Sequence, residues 1–347
     1  MNSKEETYKK IYTLAGEIYK LKPWKWVFEY DVFGVRIPDT DRIYYVSVMG
    51  SEGEFLAISA YCGVRGLGQF WQFREQGDTI APEAFLTIHQ IMLSFGDREG
   101  LSPEQLASIK PSGISFRGKG CWPSLEEIFP AYLPVLPKGK SLSDTLVILE
   151  QTLNVAYRAE EEPDLIYPEQ EQEDVYLIRE RDGEDSPASW KDSYQKADTE
   201  QGEVDYKLTY MEESVRNVAL LPESLKIIQI DLVMLPTPVK EKGHKGFFPF
   251  ALIMVEKNTG LFLGMDTVAP KPNLDTMHES LPQRVLDEVQ KLGFRPQRME
   301  VRPSLLEGLI RQALEMAGIR LLAVSRMDSL DEAVLSLINH LEGGQPD

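Results

Sequence analysis

The clearest hydrophobic pattern in the chain lies between residues 224 and 268. Three runs rich in β-branched and aromatic residues follow one another there: SLKIIQIDLVMLP, PFALIMVEKN and LFLGMDTV. Short apolar runs bounded by turn residues are typical of strands. The pattern therefore predicts three consecutive β-strands, with the last two closed by the turn Asn258-Thr259-Gly260.

Helices and strands alternate after these three strands. The periodicity predicts a helix over 274–289 ended by Gly293, a strand at 298–302, a helix at 305–317 ended by Gly318, a strand at 320–324 and a last helix from about Ser329 to Leu341. Parallel strands joined through helices need right-handed crossovers. We therefore expect an α/β domain over 206–347, a mixed sheet with helices on both faces.

The N-terminal part of the chain mixes the two periodicities without strict alternation. Helices are predicted at 4–20, 63–76, 82–95 and from Ser141 or Ser143 to Tyr157, strands at 25–33, 43–49 and 54–61, and an ordered loop at 110–137. Apolar residues spaced at i, i+3 and i+4 mark the helices, whereas Trp, Val, Tyr and Phe are dense in the strands. These elements predict an α+β domain over residues 1–158.

Residues 159–205 differ in composition from both flanks. They carry 17 Asp and Glu against 4 Lys and Arg, whereas each flanking domain is close to neutral, so most of the net charge of −18 belongs to this segment. Such a composition predicts an extended or flexible acidic connector. Val175–Ile178 and Trp190 are the apolar residues that could lay a strand against one of the domains.

Charge and composition narrow the classes of partner and compartment. Neither domain is basic, so the usual electrostatic footprint of a nucleic-acid binder is missing and nucleic acid is not the expected partner. The N-terminus lacks an apolar signal region and no run is long enough to span a membrane, which favours a cytoplasmic protein. Cys62 and Cys121 have too few neighbouring ligands for a zinc site or a disulfide framework, and we expect free thiols.

Two resemblances bear on function. Residues 226–341 resemble the ribonuclease-H-like superfamily, in particular the integrase and transposase core, through Ile230-Asp231-Leu232, the run FALIMVEKNTGLFLG and Ala317-Gly318-Ile319. The whole chain also resembles an uncharacterised bacterial two-domain family, through Pro23-Trp24, Asp31–Val35 and Tyr44–Gly50. The second resemblance implies no known activity.

The first resemblance implies a place to look for chemistry. Active integrase-like proteins hold two Mg²⁺ ions with carboxylates on the first strand, the fourth strand and the last helix, because two metals stabilise the attacking and leaving oxygens of a phosphodiester. Asp231 fits the first position and Glu332 the third, with Asp328 and Asp331 nearby. Arg302 stands where the fourth strand should supply an Asp, and Glu300 lies two residues earlier on the same side of that strand.

These residues also have a purely structural interpretation. Asp231 could pair with a lysine or with Arg302 itself, since ion-pair networks commonly mimic active-site clusters. Glu332 falls in the first turn of a helix, where a carboxylate is favourable whatever the function. The sequence favours the structural interpretation for both.

Other motifs give weaker signals. The run Gly63-Val-Arg-Gly66-Leu-Gly68 is in the wrong order for a dinucleotide fingerprint and predicts a turn, while Ser115 misses the nucleophile-elbow spacing by one residue. The basic loop at 240–246 predicts a solvated connection. No two of the four histidines have a paired spacing, so no histidine-based metal site or triad is expected.

The sequence therefore favours a non-catalytic binding or scaffold protein that has a degenerate ribonuclease-H-like domain, no cofactor and a protein partner. The first alternative is a Mg²⁺-dependent nuclease that uses Asp231, Glu300 and Glu332, with Asp231 and Glu332 as metal ligands. A second alternative is the binding of a small molecule between the domains.

Overall fold

The predicted groups of strands form two separate sheets. The computed structural model describes residues 3–53, 55–76, 82–167, 174–182, 189–198, 204–241 and 245–343. It divides the chain into two units: Met1–Phe129 with Pro134–Glu203, and Pro130–Leu133 with Val204–Asp347. One unit contains a seven-stranded sheet and the other a five-stranded sheet.

The sheet of the first unit is almost wholly antiparallel. Its elements are α1 (Ser3–Leu21), β1 (Phe33–Arg36), β2 (Ile43–Met49), β3 (Leu56–Cys62), α2 (Gly63–Gln76), β4 (Gln90–Gly96), α3 (Pro103–Ile109), β5 (Trp122–Ile128), α4 (Lys140–Glu161), β6 (Val175–Arg181) and β7 (Trp190–Lys196). The strand order is β5-β4-β3-β2-β1-β6-β7, and only β1 and β6 run parallel. Alternate residues of each strand point to opposite faces of the sheet. The apolar side chains of one face pack against α1 and α4, and those of the other face pack against α2.

Three predictions for the first unit are wrong. Most of the expected strand at 25–33 is irregular, because the chain begins it with a 3₁₀ turn at Pro23–Lys25 and enters the sheet only at Phe33. Much of the expected helix at 82–95 is strand β4, whose alternate residues Ile91, Leu93 and Phe95 fill the core. The expected loop at 110–137 contains β5. Burial of alternate side chains in the sheet outweighs the local helical spacing.

The acidic segment belongs to the first unit up to Glu203. The predicted boundary at residue 158 falls inside α4, and β6 pairs with β1 while β7 pairs with β6. Arg179, 5% exposed, bonds to Gln151 and to Asp192, so part of the acidic charge neutralises a buried cation. Residues 168–173, 183–188 and 199–203 of the predicted connector lie outside the described residues, as do 242–244 of the basic loop.

The second unit has the strand order and directions of a ribonuclease-H-like fold. Its elements are α5 (Glu212–Ala219), β8 (Glu223–Met234), β9 (Phe250–Glu256), β10 (Phe262–Val268), α6 (Leu274–Glu279), α7 (Leu281–Leu292), β11 (Arg295–Val301), α8 (Leu305–Met316), β12 (Arg320–Ala323) and α9 (Asp328–Gly343). The order is β10-β9-β8-β11-β12. The first three strands are antiparallel, and β11 and β12 run parallel to β8.

Helices lie on both faces of this sheet. Ile228, Ile230 and Leu252 point toward α5, α7 and α8, whereas Ala251 and Ile253 point toward α9. The single helix expected over 274–289 is broken into α6 and α7 at Ser280, next to Pro282. In the described part of the chain, no helix is both long enough and apolar enough to cross a membrane.

Candidate functional site

A row of polar side chains lies on the face of the five-stranded sheet that α9 covers. The parallel pairing of β8 with β11 sets Gln229 opposite Glu300. Side chains two residues further along each strand share the same face, which brings Asp231 next to Arg302. The first turn of α9 reaches this row, since the Leu330 N–H donates to Gln229 Oε1 at 3.2 Å.

Arg302 lies between two carboxylates. Its Nη1 donates to Asp231 Oδ2 and its Nη2 donates to Asp331 Oδ1, so the two prongs of one guanidinium bind an acid from β8 and an acid from α9. The other oxygen of Asp231 accepts the Leu232 N–H at 2.8 Å. Of the two partners that the structural interpretation allows for Asp231, a lysine or Arg302, the structure has Arg302.

The protonation of this ion cluster follows from burial and pairing. Burial raises the pKa of Asp231 above its usual range, and the Leu232 amide and the Arg302 charge only partly oppose that effect. Burial alone would lower the pKa of Arg302, but hydrogen bonding to Asp331 and the charge of Asp231 more than compensate, and the pKa is raised. Arg302 is therefore a permanent cation inside the cluster.

Glu300 belongs to a second, more deeply buried cluster. Its side chain is 1% exposed, and Lys257 Nζ at 2.9 Å and Arg298 Nη2 at 3.0 Å both contact Oε1. Gln229 Nε2 donates to Oε2 at 3.3 Å. The main-chain oxygen of Lys257 accepts the Ser329 hydroxyl at 2.7 Å, so the same cluster holds the start of α9.

The pKa of Glu300 is lowered by this environment. Burial raises the pKa, but hydrogen bonds from Lys257 and Gln229 and the positive charges of Lys257 and Arg298 outweigh it. The carboxylate oxygens face two cations. Among the described residues, the buried Nε of Arg298 has no hydrogen-bond partner. Chemically, the pocket of charge around Glu300 stabilises an anion and repels a metal cation.

The three carboxylates predicted from the sequence do not form one site. Asp231 joins Arg302 and Asp331, Glu300 joins Lys257 and Arg298, and Glu332 is exposed just after the first turn of α9, not within it as expected. Within the described residues, no group of three or more His, Cys, Asp or Glu side chains could hold a metal ion. The residues at this position therefore do not fit the two-metal arrangement that the ribonuclease-H-like resemblance implies.

Sequence reasoning missed Asp331 as a principal member of the cluster. Asp331 and Glu332 are adjacent acids in the same helical turn, and only the phase of α9 decides which of them faces the sheet. It also missed Lys257, whose partner Glu300 is distant in sequence. The predicted order of the strands was the sequence feature that could have indicated these pairings.

Comparisons with known proteins identify two families of unknown function. Residues 8–179 match the family described as "Domain of unknown function (DUF7309)", and residues 214–338 match the one described as "Domain of unknown function (DUF6930)". The two matches fall on the two structural units. No curated protein matches the chain.

Two solved structures share weak similarity with the chain. The catalytic core domain of HTLV-2 integrase in complex with magnesium is 17% identical over 37% of this chain and 78% of that chain, with a TM-score of 0.22. A chain of the simian T-cell lymphotropic virus intasome in complex with PP2A regulatory subunit B56 gamma is 13% identical over 59% of each chain, with a TM-score of 0.23. Neither similarity bears on activity.

Replacing Glu300 with Gln should destabilise the second unit in a pH-dependent way. A group whose folded pKa is lowered contributes stability above its unfolded pKa, near 4.5, and loses it as the pH falls through the folded pKa. We expect Glu300→Gln to lower the free energy of unfolding by about 1–3 kcal/mol at neutral pH. The difference from wild type should shrink below pH 4.5. Urea unfolding at both pH values measures it.

Glu332→Gln is the matched control, because Glu332 is an exposed carboxylate of the same unit. It should change the free energy of unfolding by less than about 0.5 kcal/mol at either pH. Equal effects of the two substitutions, or an effect of Glu300→Gln that does not depend on pH, would contradict the ionised state of Glu300.

Proposed function

We propose that the second unit is a ribonuclease-H-like domain without catalytic activity and that the chain acts as a binding or scaffold protein for a protein partner. The observation that carries this proposal is the ion cluster of Asp231, Arg302 and Asp331. In it, a side-chain cation takes the place that a metal would need. The fold is retained, and its metal chemistry is lost.

Electrostatics argues against the nuclease alternative. Phosphodiester cleavage of this kind needs two divalent ions about 3.5–4 Å apart, held by carboxylate oxygens that are free to coordinate them. One oxygen of Asp231 is bound to Arg302 and the other to the Leu232 N–H. A divalent ion would have to displace or approach a permanent guanidinium charge, and Glu300 is already neutralised by Lys257 and Arg298.

Exposed apolar groups at the edge of the sheet support a protein as the partner. Strand β10 is an edge strand, and Phe262 and Met265 on it are 45% and 40% exposed, with Leu261 before it 57% exposed. An edge strand offers unpaired backbone groups, and exposed apolar side chains add area that a protein can bury. The near-neutral charge of residues 206–347 gives no comparable support to nucleic acid.

Divalent metal should not stabilise the wild-type protein. Any ion bound only by the folded state raises the free energy of unfolding by mass action. We expect equal melting temperatures in EDTA, in Mg²⁺ and in Mn²⁺, and no cleavage of labelled DNA or RNA strands under the same conditions. Differential scanning calorimetry measures the first, and gel electrophoresis the second.

The Asp231→Asn protein is the comparison for this experiment. A rise in melting temperature with Mg²⁺ or Mn²⁺ that is present in wild type and absent in Asp231→Asn would establish the nuclease-type site and overturn the proposal.

The partner should depend on the β10 edge. The immobilised wild-type chain should retain a protein from a lysate of the source cells. We expect the Phe262→Ser, Met265→Ser chain to retain at least about tenfold less of that protein. Each lost apolar contact should weaken binding by about 0.7 kcal/mol or more, and two such losses give this factor. The retained protein is then purified and its affinity for both chains measured by calorimetry.

Leu305→Ser is the matched control, because Leu305 is an equally exposed apolar residue of the same unit on α8. It should bind the purified partner as wild type does. Retention of no protein, or equal affinity of the wild-type and β10-substituted chains, would count against a partner at this edge.

A further inference from the structure

An open pocket lies on the first unit where the chain passes from β4 to β5. Its volume is about 510 Å³, within the range of roughly 300–1,000 Å³ that small-molecule sites occupy. The residues that line it come from one stretch, 98–122, which contains α3 and the 3₁₀ turns Arg98–Gly100 and Lys110–Ser112. The pocket is therefore built within a single unit of the structure.

Apolar side chains form the floor of this pocket. The floor consists of four residues that belong to the largest core cluster of the unit or pack against it: Leu106, Ile109, Ile114 and Trp122. Trp122 also packs on the buried Phe116, with ring centroids 6.1 Å apart. Because the core holds these side chains, they give a fixed apolar surface from which a ligand can displace water.

Two exposed cations line the same pocket. The Arg98 guanidinium lies over the Trp122 ring, with Cζ 5.5 Å from the ring centroid. Within the described residues, neither Arg98 nor Lys110 forms an ion pair, whereas Arg36 and Arg42 of the same unit each bond to a carboxylate. A guanidinium held over an aromatic face keeps the N–H groups of its edge for an anion.

In the described part of the chain, no acidic side chain lines this pocket. Asp97 Oδ1 accepts the Gly120 N–H at 2.7 Å, and Glu104 Oε1 lies 2.7 Å from Lys138 Nζ. Glu99 is exposed and does not line the pocket. An anion in the pocket would therefore meet the two cations before any carboxylate.

A hydroxyl group completes the polar side of the pocket. Ser115 Oγ accepts the Arg117 Nε–H at 3.2 Å, so its own proton is available to a ligand. The Gly113 N–H donates to the main-chain oxygen three residues before it at 3.4 Å, and the Ile114 N–H donates to Ser112 Oγ at 3.1 Å. These loop N–H groups do not form the backbone cradle that phosphates commonly occupy, which favours a carboxylate bound by side chains.

We propose that this pocket binds a small organic carboxylate with an apolar body. The apolar body lies on the floor, and the carboxylate bonds to Arg98 and Lys110. The site belongs to the first unit and does not depend on the function proposed for the second. Ala107 on α3 also lines the pocket and is exposed, so a larger side chain at this position would fill the space.

The test is the affinity of the full-length chain for phenylacetate, measured by NMR titration beside phenylacetamide and acetate. Phenylacetate should bind with a Kd of about 1–5 mM, which is the range that a molecule of its size reaches. The amide lacks the charge and should bind at least about tenfold more weakly. Acetate lacks the apolar body and should show no binding over the same range.

Two substitutions alter the pocket in different ways. Arg98→Gln removes one cation and should weaken the binding of phenylacetate about tenfold. Ala107→Phe leaves the charge unchanged, fills the pocket and should abolish binding. Arg181→Gln is the matched control, because Arg181 is an exposed arginine on β6, a strand far from β5 in the order of the sheet. It should bind phenylacetate as wild type does.

Circular dichroism and thermal melting establish that each variant folds. If Arg98→Gln does not fold, Lys110→Gln supplies the loss of charge in its place. The proposal would be overturned if phenylacetate did not bind wild type with a Kd below about 10 mM, or if the acid and the amide bound equally. It would also be overturned if Arg181→Gln weakened binding as much as Arg98→Gln, or if Ala107→Phe left the affinity unchanged.

Discussion

The guanidinium of Arg302 is the charge on which the polar face of the second unit depends. It joins β8 through Asp231 and α9 through Asp331, from its own position at the end of β11. Removing one partner of a buried ion pair costs about 3–5 kcal/mol, mainly because the other charge is left unpaired. Arg302 and Asp331 are partly exposed, so the cost here should be smaller, and Asp231 carries most of it.

The role that we propose for the second unit depends on one substitution, an arginine where the ribonuclease-H-like resemblance implies a metal-binding carboxylate. A strand order of the ribonuclease-H type brings the ends of β8 and β11 together and lays the last helix across them. This arrangement brings carboxylates of β8, β11 and α9 to the same region of the sheet, whether or not they bind a metal. Arg302 follows β11, Arg298 lies on β11 and Lys257 follows β9, so the cations are already part of the protein.

Sequence patterns predicted the second unit well because its strands alternate or are continuously apolar and its helices have clear ends. Strand order made Arg302 one of the two expected partners of Asp231, beside a lysine, and did not choose between them. Whether Asp331 or Glu332 faces the sheet depends on the rotation of α9 about its axis. A sequence pattern locates the start of a helix only to within a residue or two, so it cannot choose between two adjacent acids. Strands β4 and β5 were missed because pairing with neighbouring strands, not local spacing, holds them in the sheet, whereas the strand allowed for at Val175–Ile178 is present as β6.

The coupling energy between Asp231 and Arg302 is the most direct measurement of the central claim. Urea unfolding at neutral pH of wild type, Asp231→Asn, Arg302→Gln and the double variant gives a double-mutant cycle. We predict a favourable coupling of about 1–3 kcal/mol, as expected for residues in one ion network. Free energies that add to within about 0.5 kcal/mol would show that the two side chains act independently and would contradict the account.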